Sequence, residues 1–266
     1  MLTTADLTPI LREAGALAMA QWPGVGQTVE SWEKGPGDRV SEADLAVDAF
    51  LKQRLGALAP DAGWLSEETV DDTARAERRR CWVVDPIDGT RDFLRGRAGW
   101  CVSVALVEDG EPVLAGLEAP ARDEVWIAAK GEGAFRNGER LRCSDCAELV
   151  GARVPIHDLP KSERDLTKVF QPNSIALRLA MVAAGEADMV LTMRWGAEWD
   201  LAAAVLLARE AGAISTAATG EPYRFNKPDP RIFGTLTTTP ALHGPALERW
   251  GGRARDIAED TAHPSQ

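Results

Sequence analysis

An α/β fold is the class this 266-residue chain predicts, on three observations. Runs rich in Val, Trp and Ile at residues 81–85, 100–107, 112–118 and 124–129 are divided by Gly, Pro or Asp, the pattern of strands. Residues 172–211 switch to helix–strand–helix alternation. Hydrophobic types make up 45 % of the chain, enough for one large core or two small fused ones.

Each element has its own signal. Leu7, Ile10, Leu11, Ala14, Leu17 and Ala18 recur at helical spacing, with Asp6 placed to cap the helix. SWEKGPGDRV (31–40) carries Gly and Pro breakers and reads as turn or loop. SEADLAVDAFLKQRLGAL (41–58) reads as a second helix with the apolar stripe Val47, Leu51, Leu55 and Leu58. After the strand candidates, RNGER (136–140) signals a hairpin through Asn137-Gly138. A helix over 172–185, a strand over 187–192 and a helix over 200–211 follow. A boundary in the polar stretch 143–165 gives an N-terminal α+β half, 1–145, and a C-terminal α/β half, 146–252. ARDIAEDTAHPSQ reads as solvated, so residues 253–266 are expected to be a flexible tail.

A net charge of −11 argues against a nucleic-acid polymer as partner, because backbone binding needs a basic face. A small phosphorylated ligand held through metal ions stays open. No run of about eighteen apolar residues predicts a membrane span. The N-terminus lacks the basic and apolar regions of a signal peptide. Cys81 and Cys101 lie in apolar strand-like segments, which fits reduced core residues of a cytoplasmic protein. Cys143-Ser-Asp-Cys146 has no second ligand pair to complete a zinc site and reads as an incidental loop pair.

Three acidic clusters stand at the edges of apolar segments: Glu67-Glu68, Asp85-Pro-Ile-Asp88, and Glu198-Trp-Asp200. Carboxylate oxygens suit a hard cation such as Mg²⁺, and the three histidines of the chain lie away from these clusters in sequence. A tight turn at Pro86 can aim Asp85 and Asp88 at one point, with the Ile87 carbonyl as a further oxygen. Gly89 allows close backbone approach, and Thr90 stands at a helix start whose N–H groups suit a phosphate. Plain alternatives exist for single members. Glu67-Glu68 reads equally as a solvated loop, Asp200 as a helix cap, and Asp44 as the acid of a capping box opened by Ser41.

SEADLAVD, SEE, DPIDGT, GEGAFRNG, AAGEAD and EWDLAAA, in this order, resemble the inositol monophosphatase superfamily of Mg²⁺-dependent, lithium-sensitive phosphomonoesterases. The resemblance implies a layered α/β/α/β/α sandwich of the inositol monophosphatase and fructose bisphosphatase type. It implies two to three Mg²⁺ ions: one at Glu67, Asp85 and the Ile87 carbonyl, one at Asp85, Asp88 and Asp200, and a weaker one near Glu67 and Glu68. Thr90 and Asp44 match the pair that orients and deprotonates the attacking water. Gly89 and Thr90 N–H groups would hold phosphate, and Lys34 lies near the family's water-network lysine. Family members occur as monomers and homodimers.

Substrate choice rests on the periphery. Inositol-type members carry an acid seven positions before the WD aspartate, where this chain has Met193, which cannot accept a bond as a carboxylate does. Arg178 stands where CysQ-type 3'(2'),5'-bisphosphate nucleotidases often carry Lys, and Glu198 in EWD is similar to that group. Arg178 also reads as an ordinary helix-surface residue. A bisphosphate nucleotidase is therefore favoured, with inositol-1-phosphatase or another small phosphate-ester phosphatase as the alternative. A non-catalytic acidic metal-binding module is the contrasting class.

Overall fold

A seven-stranded sheet carries the first half of the chain, and its two faces are covered by helices from the N-terminal and C-terminal halves of the sequence. The computed structural model describes residues 2–27, 31–35 and 38–262. Helix α1 (Thr4–Met19) is followed by the hairpin β1 (Trp32–Gly35) and β2 (Asp38–Val40), then by α2 (Glu42–Leu58). Strands β3 (Gly63–Ser66) and β4 (Arg80–Asp88) run parallel. After the short α3 (Thr90–Leu94) come β5 (Cys101–Glu108), β6 (Glu111–Ala119), β7 (Glu124–Ala129), β8 (Gly133–Arg136) and β9 (Glu139–Arg140), each antiparallel to its neighbour in the order β3-β4-β5-β6-β7-β8-β9. Strands β10 (Arg153–Pro155) and β11 (Thr167–Val169) form a separate parallel pair. Helix α4 (Ile175–Ala183), β12 (Met189–Ala197), α5 (Glu198–Glu210), β13 (Ile214–Thr216), β14 (Arg231–Thr238) and α6 (Pro240–Ala262) complete the chain, with a second sheet ordered β12-β14-β13.

The period-two pattern of β4 and β5 builds the layers. Trp82 and Val84, with Val102, Val104 and Leu106, face α1 and α2. Cys81 and Val83, with Cys101, Ala105 and Val107, face α4 and α5. Helices α4 and α5 in turn lie against the three-stranded sheet, whose far side is covered by α6. The layers are therefore α/β/α/β/α, as the resemblance implied. The largest apolar cluster draws on both sides of residue 145, since it joins Leu65 and Val83 to Leu179 and Val205.

Several local expectations change. Thr3, not Asp6, caps α1, and Asp6 is the acid of a capping box that accepts the Thr3 N–H at 2.9 Å. The 31–40 segment holds a strand pair instead of a plain loop. Of the 253–266 segment expected as flexible tail, residues 253–262 continue α6, and 263–266 lie outside the described residues. Ala254 is fully buried against Phe233 and Ala218, and Ile257 and Ala258 pack beside it, so apolar positions at helical spacing were hidden among charged neighbours. The Asn137-Gly138 hairpin forms, with φ of 50° and 83° at its two turn residues. All four cysteines are free thiols.

Candidate metal centre and substrate cavity

Pro86 cannot donate to a sheet ladder, and β4 breaks register there. Asp85 pairs with Ser103 and Asp88 with Cys101, so three steps on β4 match two on β5. In a regular strand residues three apart face opposite sides. The extra residue of this bulge turns Asp85 and Asp88 to the same side, where the sequence suggested a tight turn. Asp200, from the first turn of α5, completes the group: carboxylate oxygens of Asp85, Asp88 and Asp200 lie within 4.8 Å of one another.

Each carboxylate is held by backbone or hydroxyl donors. Asp85 accepts the Ile87 N–H at 3.0 Å. Asp88 accepts the Ser174 hydroxyl at 2.5 Å and the Ala176 N–H at 2.7 Å, at the N-terminus of α4. Asp200 accepts the Ala197 N–H at 2.7 Å, so it stands at the third position of α5, not at its cap. Burial, then the nearby charges of Glu67, Asp88 and Asp200, raise the Asp85 carboxyl well above the usual range. Burial also raises Asp88, against the pull of its Ser174, Ala176 and Ile175 donors. Burial and the Asp88 charge push Asp200 up to about 7.

These groups floor a cavity of ≈ 1290 Å³ that is also lined by Glu67, Ile87, Gly89 and Thr90. The Thr90 hydroxyl donates to the Ile87 carbonyl at 3.0 Å, which leaves that oxygen a second lone pair. Gly89 has φ of 93°, and a Cβ there would lie 2.7 Å from the Gly99 oxygen and 2.8 Å from the Ser174 nitrogen. Only glycine fits between those two backbones. Buried, crowded carboxylates beside a carbonyl form an all-oxygen donor set that fits a hard cation such as Mg²⁺. His157, distant in sequence from the acidic clusters, lines the same cavity and is exposed.

The remaining candidates are placed differently. Asp44 is buried at the start of α2, where its Oδ2 accepts the Ser41 N–H at 2.8 Å and the Ser41 hydroxyl at 2.6 Å. Asp44 and Glu68 are not among the cavity-lining residues, and Lys34 lies in β1 with its side chain outside the described residues. Arg178 lines the cavity, but its guanidinium donates to the Pro172 carbonyl at 2.8 Å and the Asn173 carbonyl at 2.9 Å. It clamps the approach to α4, and burial lowers its pKa from the ordinary arginine value.

Two periphery candidates lie outside the cavity lining. Glu198 is fully buried; its carboxylate accepts the backbone N–H groups of Asn226 and, at 3.0 Å, Lys227, and so anchors that loop. Met193 packs into apolar clusters beneath α6. The cause is a second bulge: Thr192 pairs with Thr235 and Trp195 with Phe233, so Met193 and Arg194 together oppose Gly234. Arg194 and Trp195 line the cavity in place of Met193. Sequence reasoning missed both, and also Ser174. Ser174 did carry a signal, as a cap-type residue before the apolar run IALRLAMVA.

The inositol monophosphatase family profile matches residues 2–245. A fructose-1,6-bisphosphatase/inositol-1-monophosphatase of Thermotoga maritima is 34 % identical over 222 residues, covering 80 % of this chain and 83 % of that protein. A histidinol-phosphatase of Mycobacterium tuberculosis is 35 % identical over 226 residues, covering 79 % of this chain and 84 % of its own length. Among solved structures, an IMPase from Thermotoga maritima superposes with a TM-score of 0.80 at 28 % identity, covering 95 % of this chain and 96 % of that one. With the layered fold and the acidic bulge in place, the chain belongs to the inositol monophosphatase family.

Proposed function

We propose that this protein is a Mg²⁺-dependent phosphomonoesterase whose substrate carries a second anionic group, as in the 3'(2'),5'-bisphosphate nucleotides. The observation that carries the substrate half is Arg194. It lines the cavity above the acidic floor, is exposed, and makes no side-chain hydrogen bond or ion pair among the described residues. Its charge favours the ionised form of Asp200, so it lies within electrostatic reach of the floor. An unpaired guanidinium there suits a phosphate that is not the one being cleaved. Arg178, the residue first favoured for this task, has two of its nitrogens committed to carbonyls.

In this reading Glu67, Asp85, Asp88, Asp200 and the Ile87 carbonyl would hold two ions, and Glu67 and Glu68 would hold a third. Bound Mg²⁺ would neutralise the phosphate dianion and lower the pKa of water. Gly89 and Thr90 N–H groups hold the phosphoryl oxygens at the base of α3. The Thr90 hydroxyl, its proton directed to Ile87, offers lone pairs that orient the attacking water. The motif match alone supports Asp44, which is not among the cavity-lining residues, as the acceptor of the proton that this water loses. It alone also supports Lys34, whose side chain lies outside the described residues, as part of the water network.

Inositol 1-phosphate is the second reading, supported by the name of the Thermotoga relative. Arg194→Ala separates the two. A hydrogen bond to a charged group contributes about 1.5–3 kcal/mol, so kcat/KM on adenosine 3',5'-bisphosphate should fall roughly ten- to a hundredfold, and far less on inositol 1-phosphate. Equal losses on both would contradict the second-anion role.

A further inference from the structure

Trp195 follows Arg194 on the bulged strand, lines the cavity, and is 38 % exposed. That exposure is not looseness. Its indole N–H donates to the Thr261 hydroxyl of α6 at 2.9 Å. Phe233 of β14 forms a T-shaped pair with the ring at 5.4 Å between centroids, and the Arg231 guanidinium lies over the ring, 5.4 Å from its centre. The Thr261 hydroxyl donates to the Ile257 carbonyl at 2.7 Å, so its lone pairs are oriented as acceptors toward the indole. A large aromatic held from two neighbouring elements has already lost its rotamer freedom, and little further entropy is lost when a ligand stacks on it.

We propose that Trp195 is a specificity-determining residue that stacks the planar base of a nucleotide, and that Thr261 is the positioning residue that sets the indole's orientation. This deepens the nucleotide reading above and rests on it. The two neighbours then divide the leaving group: Arg194 meets its second phosphate and Trp195 its base. A π-face accepts any planar ring, so the contact selects nucleotides from phosphates without a planar base and does not select among bases.

The ring contact can be read without asking the enzyme to cleave a nucleotide. Hydrolysis of glycerol 2-phosphate is followed with Mg²⁺, and inhibition constants are measured for adenosine 5'-phosphate and ribose 5-phosphate. These differ at C1', where one carries the base and the other a hydroxyl. Wild type should prefer the adenosine compound by about tenfold or more. Trp195→Ala should bring the ratio to within about twofold, and Trp195→Phe should recover most of it. Thr261→Val, which removes the acceptor at constant shape, should reduce the ratio about threefold, and Thr261→Ser should restore it.

A wild-type ratio near one, or a ratio that survives Trp195→Ala, overturns the platform. Equal ratios in Thr261→Val and wild type overturn the positioning role. If Trp195→Ala fails to fold, Trp195→Phe and the Thr261 pair carry the same comparison. A preserved ring preference in an enzyme that cannot hydrolyse adenosine 3',5'-bisphosphate would sink the substrate reading and leave the platform standing.

Discussion

The Ser174 hydroxyl donates to Oδ2 of Asp88 at 2.5 Å, joining residues 86 positions apart. The Ser174 Oγ itself accepts the Leu177 N–H at 2.9 Å and so caps α4. One side chain thus starts a helix and aims a carboxylate that β4 supplies. Ser174→Ala removes both bonds; a cap contributes about 0.5–2 kcal/mol and a bond to a charged group about 1.5–3 kcal/mol. The two are not additive, and a loss of about 2–3 kcal/mol in urea unfolding is expected. Mg²⁺ half-saturation should also rise. A destabilised variant with wild-type Mg²⁺ affinity would mean that Ser174 caps the helix without positioning Asp88.

Asp85→Asn tests the floor itself. Burial and three neighbouring acids oppose the Asp85 charge, so removing it relieves the metal-free protein. The metal-free variant should melt at or above wild type. Its melting temperature should respond much less to millimolar Mg²⁺, because a ligand stabilises only the state it binds. Activity should be lost. A full Mg²⁺ shift, or near-normal turnover, would remove Asp85 from the site.

Gly89→Ala should fail sterically. With φ of 93° and backbone atoms 2.7 and 2.8 Å from the new methyl, the turn into α3 must move. Strained backbone costs on the order of 1–3 kcal/mol before the clash is counted. Thermal unfolding should show a large loss together with lost activity, and a variant as stable as wild type would contradict the tight apposition of Gly89, Gly99 and Ser174.

Stability against pH has a definite sign. Glu118 is 2 % exposed, with one oxygen on Arg12 at 2.9 Å and the other without a hydrogen-bond partner among the described residues. Burial pushes it from 4.5 up to about 7, and Asp200 likewise from 3.8 up to about 7. Between each pair of values the folded state binds more protons than the unfolded state, so these groups make stability fall as pH rises through the window. Urea midpoints of chelator-treated protein should therefore carry a downward contribution from about pH 4.5 to 7. Mg²⁺ should cancel the Asp200 share, and Glu118→Gln should flatten the slope that persists in Mg²⁺. A Glu118→Gln slope equal to that of wild type would show that Glu118 ionises normally.

The parts of this molecule legible in its sequence are those set by local pattern. WVVDPID announces a buried strand that ends in charge, and the Val- and Trp-rich runs at 81–85 and 100–107 announce strands. What could not be read depends on pairing. The Thr192–Trp195 bulge needs β14 opposite β12 to exist, and it decides that Met193 turns into apolar packing while Arg194 and Trp195 line the cavity. Ser174 was visible as a cap but not as a partner of Asp88, because that contact is made only once α4 docks on the first sheet. Glu198, next to a metal-site aspartate in sequence, points the other way around the first turn of α5 and anchors residues 226–227.

Phosphate release by the unsubstituted 266-residue chain, with millimolar Mg²⁺ or with chelator, on adenosine 3',5'-bisphosphate and inositol 1-phosphate in parallel, tests the central claim most directly. The account predicts release from both only with Mg²⁺, and a higher kcat/KM on the bisphosphate. Higher kcat/KM on inositol 1-phosphate would contradict the role given to Arg194. Absence of Mg²⁺-dependent release from either ester would contradict the phosphomonoesterase reading of the acidic floor and favour a metal-binding module.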